Sequence, residues 1–377
     1  MAKKGGSTFS AAFPSKTNPM KYNRMFGVAG LAIAVASVAG CRAMLTTAEL
    51  GENDIETSLY LIGDAGEPDP RERSKVLDSL AAQASVAPQK ALVVFLGDNV
   101  YPDGIPEEGQ AAYADARRRL AVQVNSIPPG VRTIFIPGNH DWAGSEPFGL
   151  YSVRLQERLI ASMARGRDIK MLPGNGCPGP IPLDMGRLRF ITLDTQWWLH
   201  SYIVSDSTSR CATDPGAVTA ALRQQVNVPD GRVVIVSGHH PLMTGGEHGG
   251  YCGITGPFRR LAGYSQDILS GLNRVMRDSI ETAFTAKPPL VYAAGHEHNI
   301  QVLRGEPTVD YILVSGAGSD SKVSCGVWLR ESYYVAQHRT GFMRIDVMRN
   351  KGVFLRVYAY RSDGSGGVTY SRWLEPR

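Results

Sequence analysis

The sequence has no C-x-x-C pair, no internal repeat, no low-complexity tract and no apolar run of the length, about 20 residues, that a membrane-crossing helix needs. The first absence argues against a thiolate zinc site and the next two against a repeat array or a long linker. Acidic residues are missing from positions 1–41, where Lys3, Lys4, Lys16, Lys21 and Arg24 stand. Those five account for the whole formal charge of +5, so the rest of the chain carries no net charge. Bulk charge therefore gives no case for nucleic acid, and no such partner is expected.

What stands at the N-terminus is basic, then apolar, then a cysteine. Lys21 and Arg24 precede the Gly- and Ala-rich run "MFGVAGLAIAVASVAG" at 25–40, which reads as a signal-peptide core. It ends "SVAGC", with Val38, Ala39 and Gly40 before Cys41, and so resembles a bacterial lipoprotein lipobox. Residues 1–41 are thus expected to be a signal peptide with lipobox, translated from Met1 or Met20, and 42–55 a linker. The protein is expected to be exported and held to a bacterial cell envelope, on its periplasmic or extracellular side, by a lipid anchor on Cys41. The remaining cysteines, Cys177, Cys211, Cys252 and Cys325, suit two disulfides in such a compartment, with three pairings open.

Residues 56–377 read as one α/β domain. Apolar strand patterns at 58–62, 90–96 and 132–136 alternate with helical spacing at 71–84, 110–124 and 152–164. Such alternation predicts a largely parallel sheet. Strand patterns follow at 187–195, 232–237 and 290–294, with helices at 216–226 and near 268–286, and from residue 301 the chain becomes strand-rich.

Five strand ends share one form: an apolar run, a glycine, then metal-competent side chains. They are "LIGDAG" (Asp64), "FLGDNVY" (Asp98, Tyr101), "IPGNHD" (Asn139, His140, Asp141), "VSGHHP" (His239, His240) and "AAGHEHN" (His296, His298). Five of the eight histidines lie in these loops, and His248 lies in the Gly-rich loop after the fourth. Ligand sites in open α/β sheets gather at the carboxyl ends of strands, so these loops are expected to converge. Oxygen and imidazole donors without thiolate suit Fe, Mn or Zn, and seven of them suit two ions sharing a carboxylate.

The ordered set GDxG, GDxxY, GNHD, GHHP, GHxH resembles the calcineurin-like metallophosphoesterases. The Tyr of GDxxY resembles the purple acid phosphatase branch, and "GHHPLMTGGEHG", "GHEHNIQVL" and "YILVSGAG" resemble its tartrate-resistant acid phosphatases. The resemblance implies an α/β fold: a four-layer αββα sandwich of two mixed β-sheets flanked by helices. It implies that Asp64, Tyr101 and His298 bind Fe(III), that Asn139, His239 and His296 bind Fe(II), Zn or Mn, and that Asp98 bridges the two ions. A free phenol ionises near pH about 10, and a trivalent cation would favour its phenolate. His140, oriented by Asp141, is expected to contact the phosphate. His248, aided by Glu247, is expected to protonate the leaving group, and His240 lies outside the ligand set.

The implied reaction is hydrolysis of small phosphate monoesters by attack of a metal-bound hydroxide on phosphorus, in a monomeric acid-phosphatase-like enzyme. The alternative is a nucleotidase or phosphodiesterase of the same superfamily. Three stretches depart from the tartrate-resistant pattern and are expected near the pocket: "GDAGE" without a Trp, Trp142 after "GNHD", and "SDSK" after "SGAG".

Overall fold

Alternation of buried side chains to opposite faces divides the core into three clusters. Leu59 and Leu61 of the first strand pack between two sheets, while Tyr60 and Ile62 of the same strand pack outward against helices. A β-strand does this because successive side chains point to opposite faces, and each buried Leu, Ile or Phe contributes about 1.5–3 kcal/mol. The computed structural model describes residues 51–377 except 71–73, 201–210, 212–213, 253–255, 257–258, 260–263, 351 and 377. The signal peptide, the lipobox and most of the linker fall outside these residues.

The first sheet has seven strands, in order β14-β13-β12-β1-β2-β3-β4. β1 (Ile55–Ile62), β2 (Ala91–Phe95), β3 (Arg132–Phe135) and β4 (Ile169–Met171) run parallel. β12 (Thr340–Met348), β13 (Val353–Tyr360) and β14 (Gly366–Trp373) extend it antiparallel. The second sheet, also of seven strands, has the order β11-β9-β10-β8-β7-β6-β5. Its parallel centre is β6 (Leu188–Thr192), β7 (Val233–Ser237), β8 (Val291–Ala294) and β10 (Tyr311–Ser315). β5 (Ile181–Met185), β9 (Ile300–Arg304) and β11 (Ser332–Ala336) complete it antiparallel.

Helices α1 (Lys75–Ala84), α2 (Tyr113–Ser126) and α3 (Gly149–Ala164) cover the outer face of the first sheet. α4 (Pro215–Val226) and α5 (Gly271–Phe284) cover that of the second. The four-layer sandwich of two mixed sheets is therefore present, and the parallel sheet read from βαβα alternation is corrected to the parallel part of each. The expected start of α1 moves to Lys75, where the Ser74 side chain accepts a bond from Leu77 N at 3.3 Å. Asp214 and Ser270 cap α4 and α5 in the same way. No helix among the described residues is long and apolar enough to cross a membrane.

Two disulfides, Cys177–Cys211 and Cys252–Cys325, settle the pairing that the sequence left open. The second ties the loop carrying His248 to the segment after "SGAG".

Candidate metal centre

All five glycine-punctuated loops leave the carboxyl ends of parallel strands: β1, β2 and β3 in one sheet, β7 and β8 in the other. The loops interlock through backbone bonds. Asp64 N bonds Gly97 O at 3.0 Å, and Gly295 N bonds His239 O at 3.0 Å. Gly138 is needed for this close approach, because a Cβ there would lie 2.3 Å from Asp98 Oδ1. Asp64, Asp98 and His296 have φ of 58°, 53° and 66°. Non-glycine residues in such conformations cost of order 1–3 kcal/mol each and persist where surrounding structure fixes them, commonly at functional sites.

The seven expected ligands meet as two sets of donors. In the first, the Tyr101 hydroxyl lies 3.0 Å from Asp64 Oδ1, 3.0 Å from Asp98 Oδ2 and 3.1 Å from His298 Nε2. In the second, Asn139 Oδ1 lies 3.0 Å from His239 Nε2 and 3.1 Å from His296 Nδ1, and His239 Nε2 is 3.4 Å from Asp98 Oδ1. One oxygen of Asp98 thus faces each set. Of the seven side chains, only His298 is appreciably exposed.

Outer contacts aim the imidazoles inward. His239 Nδ1 donates to Leu96 O at 2.8 Å, and His296 Nε2 donates to Gln266 O at 3.1 Å. A carbonyl only accepts, so these nitrogens carry the protons and His239 Nε2 and His296 Nδ1 are left to serve as ligand atoms. The second set is then built of lone-pair donors at 3.0–3.4 Å from one another, a composition that a bound cation satisfies. Burial, then the Asp64 and Asp98 carboxylates, push the Tyr101 phenol well above its ordinary range, an effect a bound cation reverses. Burial opposes ionisation of Asp98 too, but protonated His239 and His140 hold its carboxyl well below the usual range, a role that a cation bound at His239 Nε2 would take over.

His240 stands beside the second set, with one ring nitrogen within 4.8 Å of nitrogens of His239 and His296. Both its ring nitrogens are engaged, Nδ1 with Thr195 Oγ1 at 2.8 Å and Nε2 with Gln266 Oε1 at 2.9 Å. Asn139 takes the inward position instead.

Two expected roles need correction. Asp141 does not orient His140. Its buried carboxylate accepts from Gly138 N (2.7 Å), Asn99 N (3.0 Å) and Val100 N (3.1 Å), so it fixes the loop backbones under Asp98. His140 Nδ1 instead contacts Pro102 O, its ring lies 4.4 Å from that of Tyr101, and its Nε2 is 3.9 Å from Asp98 Oδ2. Nor does Glu247 support His248. Asp267 Oδ1 lies 2.9 Å from His248 Nδ1, while Glu247 pairs with Arg259 at 3.6 Å.

Arg259 grips Asp267 with two bonds, Nε to Oδ2 at 3.1 Å and Nη2 to Oδ1 at 2.9 Å. Burial raises the Asp267 carboxyl, but His248 and Arg259 outweigh it and hold it low. Nothing local marks Asp267 in "YSQDIL". Glu297, between His296 and His298, did carry a signal: its neighbours face the donors, so its own side chain turns away. There it accepts from Glu247 N at 2.9 Å and His248 N at 3.0 Å, shaping the His248 loop.

The three departures also separate. Trp142 is fully buried, with Nε1 donating to Asp194 Oδ2 at 2.8 Å, so it is a core residue rather than a pocket residue. Glu67 and Lys322 meet as an ion pair at 3.0 Å beside Tyr101.

No curated protein matches this sequence. Several solved structures share the fold. A purple acid phosphatase from yellow lupin (Lupinus luteus) seeds is 14% identical, with a TM-score of 0.55, over 84% of this chain and 53% of that one. GAP50, described as the anchor in the inner membrane complex of Plasmodium, is 16% identical, with a TM-score of 0.52, over 86% of this chain and 90% of that one. PhoD is 10% identical, with a TM-score of 0.52, over 85% of this chain and 69% of that one. The sequence profile of the family described as calcineurin-like phosphoesterase matches residues 58–300, from β1 into β9 and through all five loops. With well over half of its length matched, the chain belongs to the calcineurin-like phosphoesterase family.

Proposed function

We propose that the protein is a phosphomonoesterase of the purple acid phosphatase type. Fe(III) would be held by Asp64, Asp98, Tyr101 and His298, and Fe(II), Zn or Mn by Asp98, Asn139, His239 and His296. The observation that carries this reading is Asp98, whose two carboxylate oxygens face two different donor sets. Two cations bound there would supply Lewis-acid chemistry, lowering the pKa of a water and offsetting charge on the phosphoryl oxygens.

The chain's own residues supply the rest. His140 stands at the exposed edge of the first set, where it can bind a phosphoryl oxygen. His248 stacks on His296, and Asp267 anchors its Nδ1, leaving Nε2 to give a proton to the departing alkoxide. Likeness to the Plasmodium anchor concerns the fold alone. His140 and His248 beside an intact donor set favour catalysis over a purely structural role. The reading includes export and lipid anchoring at Cys41, supported by "SVAGC" after a short apolar run.

Elemental analysis and substrate kinetics test it. The purified protein should hold two metal ions per chain and hydrolyse p-nitrophenyl phosphate faster than bis(p-nitrophenyl) phosphate. A reversed preference moves the enzyme to the diesterases. Failure on both esters with no bound metal overturns the reading.

A further inference from the structure

Four successive backbone N–H groups of the His248 loop each end on a buried side-chain oxygen. Gly245 N meets Gln301 Oε1 at 2.9 Å, and Gly246 N meets Thr244 Oγ1 at 3.0 Å. Glu247 N meets Glu297 Oε1 at 2.9 Å, and His248 N meets Glu297 Oε2 at 3.0 Å. The Thr244 oxygen already accepts from Gly246 N and Gln301 Nε2, so its hydroxyl donates to Glu297 Oε2 at 3.1 Å. Both oxygens of Glu297 thus meet donors only, a pattern that an ionised carboxylate satisfies and an amide does not. Gly246 shows how closely the carboxylate is packed. Its backbone is extended, at φ −106°, and open to any residue, yet a Cβ there would collide with the Glu297 carboxyl group.

His248 is fixed at two further points. Ile268 N donates to its carbonyl at 3.0 Å, and Asp267 Oδ1 lies 2.9 Å from its Nδ1. Asp267 therefore aims the ring, while Glu297 sets the backbone from which the ring projects. Glu297 also stands in the chain between His296 and His298, the two histidines of its loop read as metal ligands. We propose that Glu297 is a positioning residue for proton donation. It fastens the backbone of His248 to the loop of those two histidines, and so sets the imidazole Nε2 within reach of the leaving group. Glu297 itself touches no reacting atom. A shift of the His248 backbone carries Nε2 away with it, and proton transfer needs hydrogen-bond reach. The loss therefore falls on esters whose leaving group is basic, and spares those whose leaving group departs unaided.

The inference rests on the phosphatase reading, and one experiment separates the two. Full-length, metal-loaded protein is compared by amide hydrogen exchange, read residue by residue, and by kinetics on glycerol phosphate and p-nitrophenyl phosphate. Glu297→Gln keeps the size of the side chain but turns an NH₂ toward an N–H donor. It should speed exchange at Glu247 and His248 about tenfold, the scale of one hydrogen bond to a charged group, and leave Gly245, held by Gln301, as it was. Two metal ions per chain should remain, and kcat/KM for glycerol phosphate should fall about tenfold relative to p-nitrophenyl phosphate. Gly246→Ala displaces the carboxylate without changing it and should give the same fall, and the double variant should lose no more than either. If Glu297→Gln does not fold, Gly246→Ala decides. An unchanged substrate ratio, whether or not exchange quickens, makes Glu297 a loop clip. Equal slowing of both esters, or loss of metal, makes it part of the metal scaffold. Either result overturns the proposal and, with the parent active, leaves the phosphatase reading intact. A parent that hydrolyses neither ester overturns both.

Discussion

His248 lies against His296 with ring centroids 3.8 Å apart and planes inclined by 32°. The group read as the acid for the leaving alkoxide therefore touches a residue read as a metal ligand. Asp267 holds it there through Nδ1. A general acid matters most when the departing alkoxide is basic. His248→Ala should slow glycerol phosphate by about 10²–10⁴ and p-nitrophenyl phosphate far less. Asp267→Asn should shift the same ratio in the same direction, by a smaller factor. Equal slowing of both substrates in His248→Ala would make His248 a phosphate binder and pass the acid role to His140.

Tyr101 touches both carboxylates of the first donor set with its hydroxyl. A phenolate on Fe(III) gives a visible charge-transfer band, so the pure protein should be pink to purple. Tyr101→Phe should abolish the band. A colourless, fully metallated protein holding two zinc or two manganese ions would sink the ferric assignment and leave the two-metal arrangement standing.

Asp98 serves both donor sets, whereas His248 serves neither. Asp98→Ala should therefore lose bound metal in elemental analysis and lose turnover of glycerol phosphate and p-nitrophenyl phosphate alike. Retention of two ions per chain in this variant would remove Asp98 from the bridging position.

Asp194 is buried beneath the site with Trp142 as its donor, and burial pushes its carboxyl up to about 7. A raised carboxyl folds most favourably when protonated. Its contribution is fully present below the unfolded value of about 3.9 and is lost as pH rises toward the folded one. Across that window the parent should lose up to about 1.4 kcal/mol per pH unit relative to Asp194→Asn, which carries no ionisable group. Urea unfolding of both proteins at pH 5 and pH 8 measures the gap. A gap that does not change with pH would show that Asp194 stays ionised in the fold.

Cys41 is expected to carry lipid. Each buried CH₂ contributes about 0.8 kcal/mol, so more than one acyl chain is needed for stable anchoring. Cys41→Ala should release the protein from the membrane fraction or leave it unprocessed, as fractionation and intact mass would report. A mature chain that begins elsewhere and carries no lipid would reject the anchor.

The sequence by itself determined the seven candidate donor side chains and the strands that carry them. Each motif is local, an apolar run followed by glycine and a ligand, and β-strand and turn chemistry act over a few residues. It also determined most helix bodies, because their apolar spacing is local too. Only the tertiary structure decided which carboxylate serves which histidine. Asp141 neighbours His140 in the chain yet faces the Asn99 and Gly138 backbones, while Asp267 reaches His248 from 19 residues further along the chain. Tertiary structure likewise decided the cysteine pairing, the burial of Trp142 and the meeting of Glu67 with Lys322, which are far apart in sequence. The split into two mixed sheets belongs with these: β12 pairs with β1 across most of the chain. Side-chain hydrogen bonds, ion pairs and strand pairing act over a few ångströms of space, and separation along the chain does not encode that distance.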